Sequence, residues 1–241
     1  MTGGADIIDV KNPAEGALGA PSPGTLRAIR RVVPWTTPLS VALGDAPHLP
    51  GTLALAAHGA AGCGVDFVKV GLLGSRHPRQ ALELLTAVRL ATEDTGPRVG
   101  VVAVAYADSA RAGGLPAPEL PAVAAAAGAA GVMLDTFFKD GTCLFDALEE
   151  SAVGTFVHAA RSAGLLVGLA GALGQGDLPR VRRLGVDVVG VRGSACEGGR
   201  GGVVGADRVR SLRDRLRLSI PASPAPSPAR AGSEADRGSG R

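Results

Sequence analysis

Lysine is the scarcest charged residue in this chain of 241: of 25 basic residues only Lys11, Lys69 and Lys139 are lysines, and the other 22 are arginines. Aromatic side chains are also few, with one Trp, one Tyr and five Phe, so the stacking platforms that a single-stranded nucleic acid uses are missing. Cysteine occurs three times, at positions 63, 143 and 196, too widely spaced for a zinc or redox pair. Reduced thiols in a cytoplasmic protein are therefore expected. No apolar run approaches the ~18 residues of a membrane span, and no signal-peptide pattern is present. Neither membrane nor nucleic acid is expected as a partner, and the lack of any metal-ligand cluster argues against a metal or other cofactor.

What is abundant is small and apolar. Hydrophobic residues make up 46% of the chain and mean hydropathy is +0.22, so a core built from Ala, Val, Leu and Ile is expected despite 36 Gly and 17 Pro. The net charge of +3 is concentrated at one end. Residues 208–241 carry eight Arg against Asp214, Glu234 and Asp236, leaving a slight negative balance elsewhere and no globally basic face. From Pro221 onward the sequence is rich in Pro, Ala, Ser, Gly and Arg without large apolar residues, a composition expected to stay disordered. Two regions are expected: a folded domain over 1–219 and a tail over 220–241.

Short apolar runs at 5–11, 38–45, 66–72, 99–108, 131–137, 165–173 and 187–194 are rich in Val, Ile and Leu on both faces, as parallel strands buried between two layers should be. Helical periodicity lies between them. In 78–93, Ala81, Leu84, Leu85 and Val88 recur at i, i+3, i+4 and i+7. Further helices are expected over 25–33, 145–163, 178–184 (with Asp177 as N-cap) and 206–218. Seven strand–helix repeats define an α/β fold of the (β/α)8 TIM-barrel type, one strand and helix short. Gly3-Gly4-Ala5-Asp6 reads as the exit from a helix into a strand, so the missing first unit belongs at the N-terminus. A further unit encoded upstream is expected, since a barrel lacking one stave exposes strand edges.

The three lysines fall near strand ends, and in a barrel the C-terminal strand ends converge on the mouth. Alternation puts Asp9 and Lys11 on one face of the first strand, and Lys69 on the corresponding face of the third with Phe67 and Gly71. Asp135 precedes Lys139 by four positions. Arginine suffices for surface charge and phosphate, but its pKa is too high for it to lose a proton. A primary amine is required where nitrogen must become neutral, to attack a carbonyl or to carry protons. Asp9 and Asp135 are the carboxylates placed to orient such amines, or else they cap loops. Asp45 and Asp108 end strands in the same way.

Small-residue loops follow the last two strands. Gly171 and Ala172 in one, and Gly193 and Ser194 in the other, are candidates for binding phosphate through exposed backbone N–H groups, with Arg192 adding charge. His48, His58, His77 and His158 share no spacing. Cys143 and Cys196 lie near candidate loops but read as small buried residues.

The segments GGADIIDVKNPAEGALGA (3–20), DFVKVGLLG (66–74), VMLDTFFKDGTCLFD (132–146), GLAGAL (168–173) and VGVRGSAC (189–196) resemble the (5-formylfuran-3-yl)methyl phosphate synthases of methanofuran biosynthesis. The resemblance spans roughly 2–217. It implies condensation of two glyceraldehyde-3-phosphate molecules to a furan aldehyde phosphate, with loss of phosphate and water. By motif, Lys11 would form the Schiff base and Lys69 would accept the proton, while Asp9, Asp135 and Lys139 would supply charge and proton relay. The expected partner is a phosphorylated aldehyde, and a homo-oligomer is compatible with the sequence. The alternatives are another class I aldolase-type barrel on triose phosphates and a non-catalytic phosphate-binding subunit.

Overall fold

A strand with apolar residues on both faces must be covered on both, and the computed structural model meets that demand with helices outside and a side-chain cluster inside. It describes residues 2–45, 47–95 and 99–217; the segment 220–241, expected as a tail, lies outside them. Seven strands form one parallel sheet in sequence order: β1 (Ile8–Val10), β2 (Leu39–Ala42), β3 (Phe67–Gly71), β4 (Gly100–Tyr106), β5 (Gly131–Asp135), β6 (Leu166–Leu169) and β7 (Val188–Val189). Strictly consecutive parallel order is the topology of a barrel wall. Among the described residues β7 and β1 do not pair.

The helices are α1 (Pro23–Val32), α2 (Pro50–Ala61), α3 (Pro78–Glu93), α4 (Ser109–Ala112), α5 (Leu120–Ala126), α6 (Leu144–Ala147), α7 (Glu150–Ser162), α8 (Leu178–Leu184) and α9 (Ala206–Arg217). Local sequence sets several ends. Ser22 caps α1 by accepting from the Thr25 N–H at 3.1 Å, with Pro23 at the first helical position. Gly185, in the left-handed region at φ 67°, closes α8. α3 buries the four residues that carry its periodicity, Ala81, Leu84, Leu85 and Val88.

Two expectations need correction. The helix expected over 145–163 is two helices, because Leu148 is extended (φ −136°, ψ 135°). The break lets Leu144 bury itself while α7 turns to bury Val153, Phe156, Val157 and Ala160. The strand expected over 187–194 ends at Val189; Gly193–Ala195 forms one 3-10 turn, followed by an antiparallel hairpin of β8 (Cys196–Glu197) and β9 (Val203–Val204).

Strand alternation sorts the side chains. Leu39 and Val41, Val68 and Val70, and Val132 and Leu134 face the helical layer in one continuous core. The opposite faces fill the interior with Ala42, Val104, Tyr106, Met133 and Ala170, joined by Ala17 and Leu18 from the loop after β1. The inward positions of β1, β2 and β3 carry polar groups as well, Asp9, Ser40 and Lys69, and β5 ends on inward Asp135.

Leu85 of α3 is fully buried in the main core, so Leu85→Ala is expected to lower unfolding free energy by about 2–5 kcal/mol in urea titration. A loss below ~1 kcal/mol would contradict this packing.

Candidate active site

The interior polar layer is held by register. Asp9 pairs across the sheet with Ser40, and Ala42 with Lys69, so β2 contributes two small inward side chains between the first and third strands. Lys69 Nζ crosses that gap to donate to Asp9 Oδ2 at 2.5 Å, and Ser40 Oγ donates to Asp9 Oδ1 at 2.5 Å. Lys69 is only 6% exposed, while the Asp9 side chain keeps 35% of its surface open. Burial works against the Asp9 charge, but the Lys69 ammonium and the two hydrogen bonds outweigh it and hold this carboxyl below its ordinary range.

A second pair forms at the end of β5. Lys139 Nζ donates to Asp135 Oδ1 at 2.8 Å, to the Thr136 carbonyl at 2.5 Å and to Thr136 Oγ1 at 3.2 Å. Asp135 is 3% exposed and also accepts the Thr136 N–H at 2.8 Å. The spacing of four residues noted in the sequence is thus closed by a loop that folds the ammonium back over the strand end.

Lys11 differs from both in having no carboxylate within hydrogen-bond reach among the described residues. Its Nζ donates to the Ala17 carbonyl at 3.2 Å. Burial, helped by the charges of Lys69 and Lys139, draws its pKa from 10.5 down to about 8, against the opposing pull of Asp135 and Asp9. At pH 7 such an amine is neutral about a tenth of the time, on the order of 300-fold more than an ordinary lysine. Of the three amines, Lys11 alone combines partial burial, a weak neutral partner and this depressed pKa.

Tyr106, which the sequence did not single out, and Asp45, which it did, complete the wall. Tyr106, the only tyrosine, is 1% exposed, and its hydroxyl donates to Asp45 Oδ1. Asp45 Oδ2 accepts the Leu18 N–H at 2.8 Å. Asp45 therefore ties the end of β2 and the end of β4 to the loop whose Ala17 carbonyl holds Lys11. Burial pushes the Asp45 carboxyl up, the Leu18 N–H opposes this, and the Asp135 charge adds to it. Tyr106 shares inward parity with Val102 and Val104, a signal present in the sequence; its long-range partner is not. A Cβ at Gly71 would crowd both Asp45 Oδ1 and the Tyr106 hydroxyl, so a larger residue there would displace that pair.

Asp108, expected as a group of the same kind, is instead a loop brace: its two oxygens accept the Phe137 and Phe138 N–H groups at 2.7 and 2.9 Å. Cys143 caps α6, Cys196 is buried in β8, and His48 lies 3.5 Å from Glu83, while His58 and His158 are exposed on helices.

The two small-residue loops are brought together. Ser194 Oγ donates to the Leu173 carbonyl at 2.9 Å, joining the turn after β7 to the loop after β6. Gly171 lies against Thr136 with φ 103°, and Ala172 takes φ 49°, the one non-glycine positive φ among the described residues. The N–H groups of Gly171, Ala172, Gly193 and Ser194 donate to no protein acceptor among the described residues. Backbone N–H groups left without an acceptor are free to take an anion.

The fold and this cluster define an α/β barrel-type protein with amine–carboxylate pairs at the C-terminal ends of its strands. The 4-HFC-P synthase family model matches residues 1–213, and the chain belongs to that family. Two relatives bear the name (5-formylfuran-3-yl)methyl phosphate synthase. That of Methanopyrus kandleri is 48% identical over 218 residues, 90% of this chain and 92% of its own. That of Methanothermobacter thermautotrophicus is 46% identical over the same shares of the two chains. In fold the chain is similar to 3-hexulose-6-phosphate synthase, with a TM-score of 0.60, 20% identity, and 88% and 87% of the two chains covered.

An amine titrating near 8 should show in its chemistry. Acetylation of Lys11 by a limiting dose of acetic anhydride, followed by peptide mass mapping, is expected to rise with pH to a half-maximum near 8. A half-maximum near 10.5 would show that the site does not depress this amine. Asp45→Asn, which weakens the tie to the Leu18 loop, is expected to shift that midpoint, whereas a surface change such as Glu93→Gln is not.

Proposed function

We propose that this protein is a Schiff-base-forming lyase that condenses two glyceraldehyde-3-phosphate molecules into (5-formylfuran-3-yl)methyl phosphate, releasing phosphate and water. The observation that carries the reading is Lys11: a half-buried amine drawn to about 8, beside a second amine held by Asp9. The relatives' names supply the product. The furan would serve methanofuran or a related cofactor.

The neutral Lys11 amine attacks the aldehyde carbon of the first triose phosphate. Loss of water gives an iminium, which withdraws electrons from the adjacent carbon. Lys69 first passes its own proton to the Asp9 carboxylate across their 2.5 Å contact, and the neutral amine so formed accepts the proton from that carbon. The resulting enamine attacks the second aldehyde. Lys139 and Asp135, across the mouth, supply the charge and proton relay that the later eliminations require. The unused N–H groups of Gly171, Ala172, Gly193 and Ser194 hold a substrate phosphate. Each of these steps uses the chain's own groups.

Incubation with glyceraldehyde-3-phosphate and borohydride, followed by mass mapping, is expected to leave a reduced adduct on Lys11. Lys11→Arg keeps the charge but should abolish both the adduct and turnover. An adduct at Lys69 or Lys139 alone would overturn the role assignment. Absence of an adduct with any triose phosphate would favour a phosphate-binding subunit.

Lys69→Met should retain the Lys11 adduct while lowering turnover by about 10²–10⁴-fold, the range for loss of a general base. Loss of the adduct together with turnover would instead mean that Lys69 is needed for imine formation.

A further inference from the structure

Hairpin β8–β9 has no counterpart in the strand–helix alternation, and it brings one side chain, Arg200, to the barrel mouth. Its root is fixed. Cys196 pairs with Val204, the Gly205 N–H donates to the Ala195 carbonyl at 2.9 Å, and Ala195 packs with Leu178 and Leu212. Arg200 sits amid four glycines, 198, 199, 201 and 202. Gly198 and Gly199 take φ 79° and 75°, and a Cβ on Gly202 would collide with the Glu197 carbonyl, so the turn requires glycine there.

Arg192 Nε donates to the Arg200 carbonyl at 3.0 Å and so fixes the backbone beneath the side chain. Arg200 Nη2 then reaches the Gly16 carbonyl at 3.4 Å, on the loop that also holds Lys11 through Ala17. Neither Arg192 nor Arg200 enters an ion pair among the described residues. Burial pushes the Arg200 pKa down, Arg192 adds to this, and the charge of Asp135 opposes both. The Arg200 guanidinium has five N–H donors and makes one long bond to a neutral carbonyl, so the others take no protein acceptor among the described residues. A bidentate anion would satisfy it.

We propose that Arg200 is an anion-anchoring residue: its guanidinium receives a phosphate-monoester or phosphate dianion at the mouth, between the Gly16 loop and the Gly193–Ser194 turn, while Arg192 holds it in place. This deepens the reading above by assigning a side chain to phosphate recognition, where the loop N–H groups offer only backbone. Two sources share that chemistry, the ester of an incoming substrate and the inorganic phosphate released.

Phenylglyoxal labelling of the full-length chain, mapped by mass spectrometry, tests the site with probes that form no imine. Protection of Arg200 by glycerol phosphate would identify the ester as the ligand, and protection by inorganic phosphate alone would identify the released ion; protection by neither overturns the proposal. Arg200→Gln is expected to weaken the protecting probe's binding about 10- to 100-fold in calorimetry, the range for a lost charge-assisted bond. Arg200→Lys should recover part of it. Unchanged affinity in Arg200→Gln also overturns the proposal. Borohydride trapping separates this inference from the proposed reaction: relative to the unaltered chain, Arg200→Gln should lose more of the trapping of glyceraldehyde-3-phosphate at Lys11 than of phosphate-free glyceraldehyde. A chain that traps no aldehyde yet shows phosphate protection at Arg200 would refute the reaction and uphold the anchor.

Discussion

An ammonium inside a barrel must find a carboxylate or give up its charge, and much of the site follows from how each lysine meets that demand. Lys69 meets it by reaching over β2 to Asp9, and Lys139 by folding back onto Asp135. Lys11 has only the Ala17 carbonyl. The same constraint thus produces two ion pairs and one amine on the edge of neutrality. It also explains the small inward residues of β2, since a larger side chain at Ser40 or Ala42 would stand between Lys69 and Asp9.

The parts of this architecture that depend on nearest neighbours along the chain were legible in the sequence. Seven strands, the amphipathic α3 and the inward parity of Asp9, Lys11 and Lys69 all follow from periods of 2 and 3.6 residues. The excess of arginine over lysine sets the three amines apart. What the sequence concealed is long-range. The Tyr106–Asp45 bond joins residues 61 positions apart, and Arg200 meets Gly16 across 184. No local pattern encodes such contacts. The split between α6 and α7 was hidden for another reason: apolar spacing continues through Leu148 although the backbone there is extended. The hairpin β8–β9 was masked by its glycines, which read as loop and nothing more.

The loop over residues 12–19 is where these long-range contacts meet. Its Ala17 carbonyl holds Lys11, its Leu18 N–H binds Asp45, and its Gly16 carbonyl accepts from Arg200. Within itself it is closed by the Asn12 N–H on the Gly19 carbonyl at 2.8 Å. Residues from the ends of β2 and β4 and from the hairpin after β7 therefore act on one amine through one short stretch of backbone. This arrangement couples groups through a shared rigid support rather than through direct contact.

A closed barrel has a hoop of hydrogen bonds that fixes its radius; the sheet described here runs from β1 to β7 without one. Side-chain contacts tie its strands together as well. Lys69–Asp9 is one, drawing β3 toward β1 over the strand between them. On the unpaired flank, Arg217 of α9 reaches Asp6 at 3.1 Å and Arg210 reaches the Thr2 carbonyl at 3.0 Å. The charge pair that serves the chemistry of the mouth is thereby also a tie between two strands of its wall, so that a substitution at Lys69 or Asp9 bears on both.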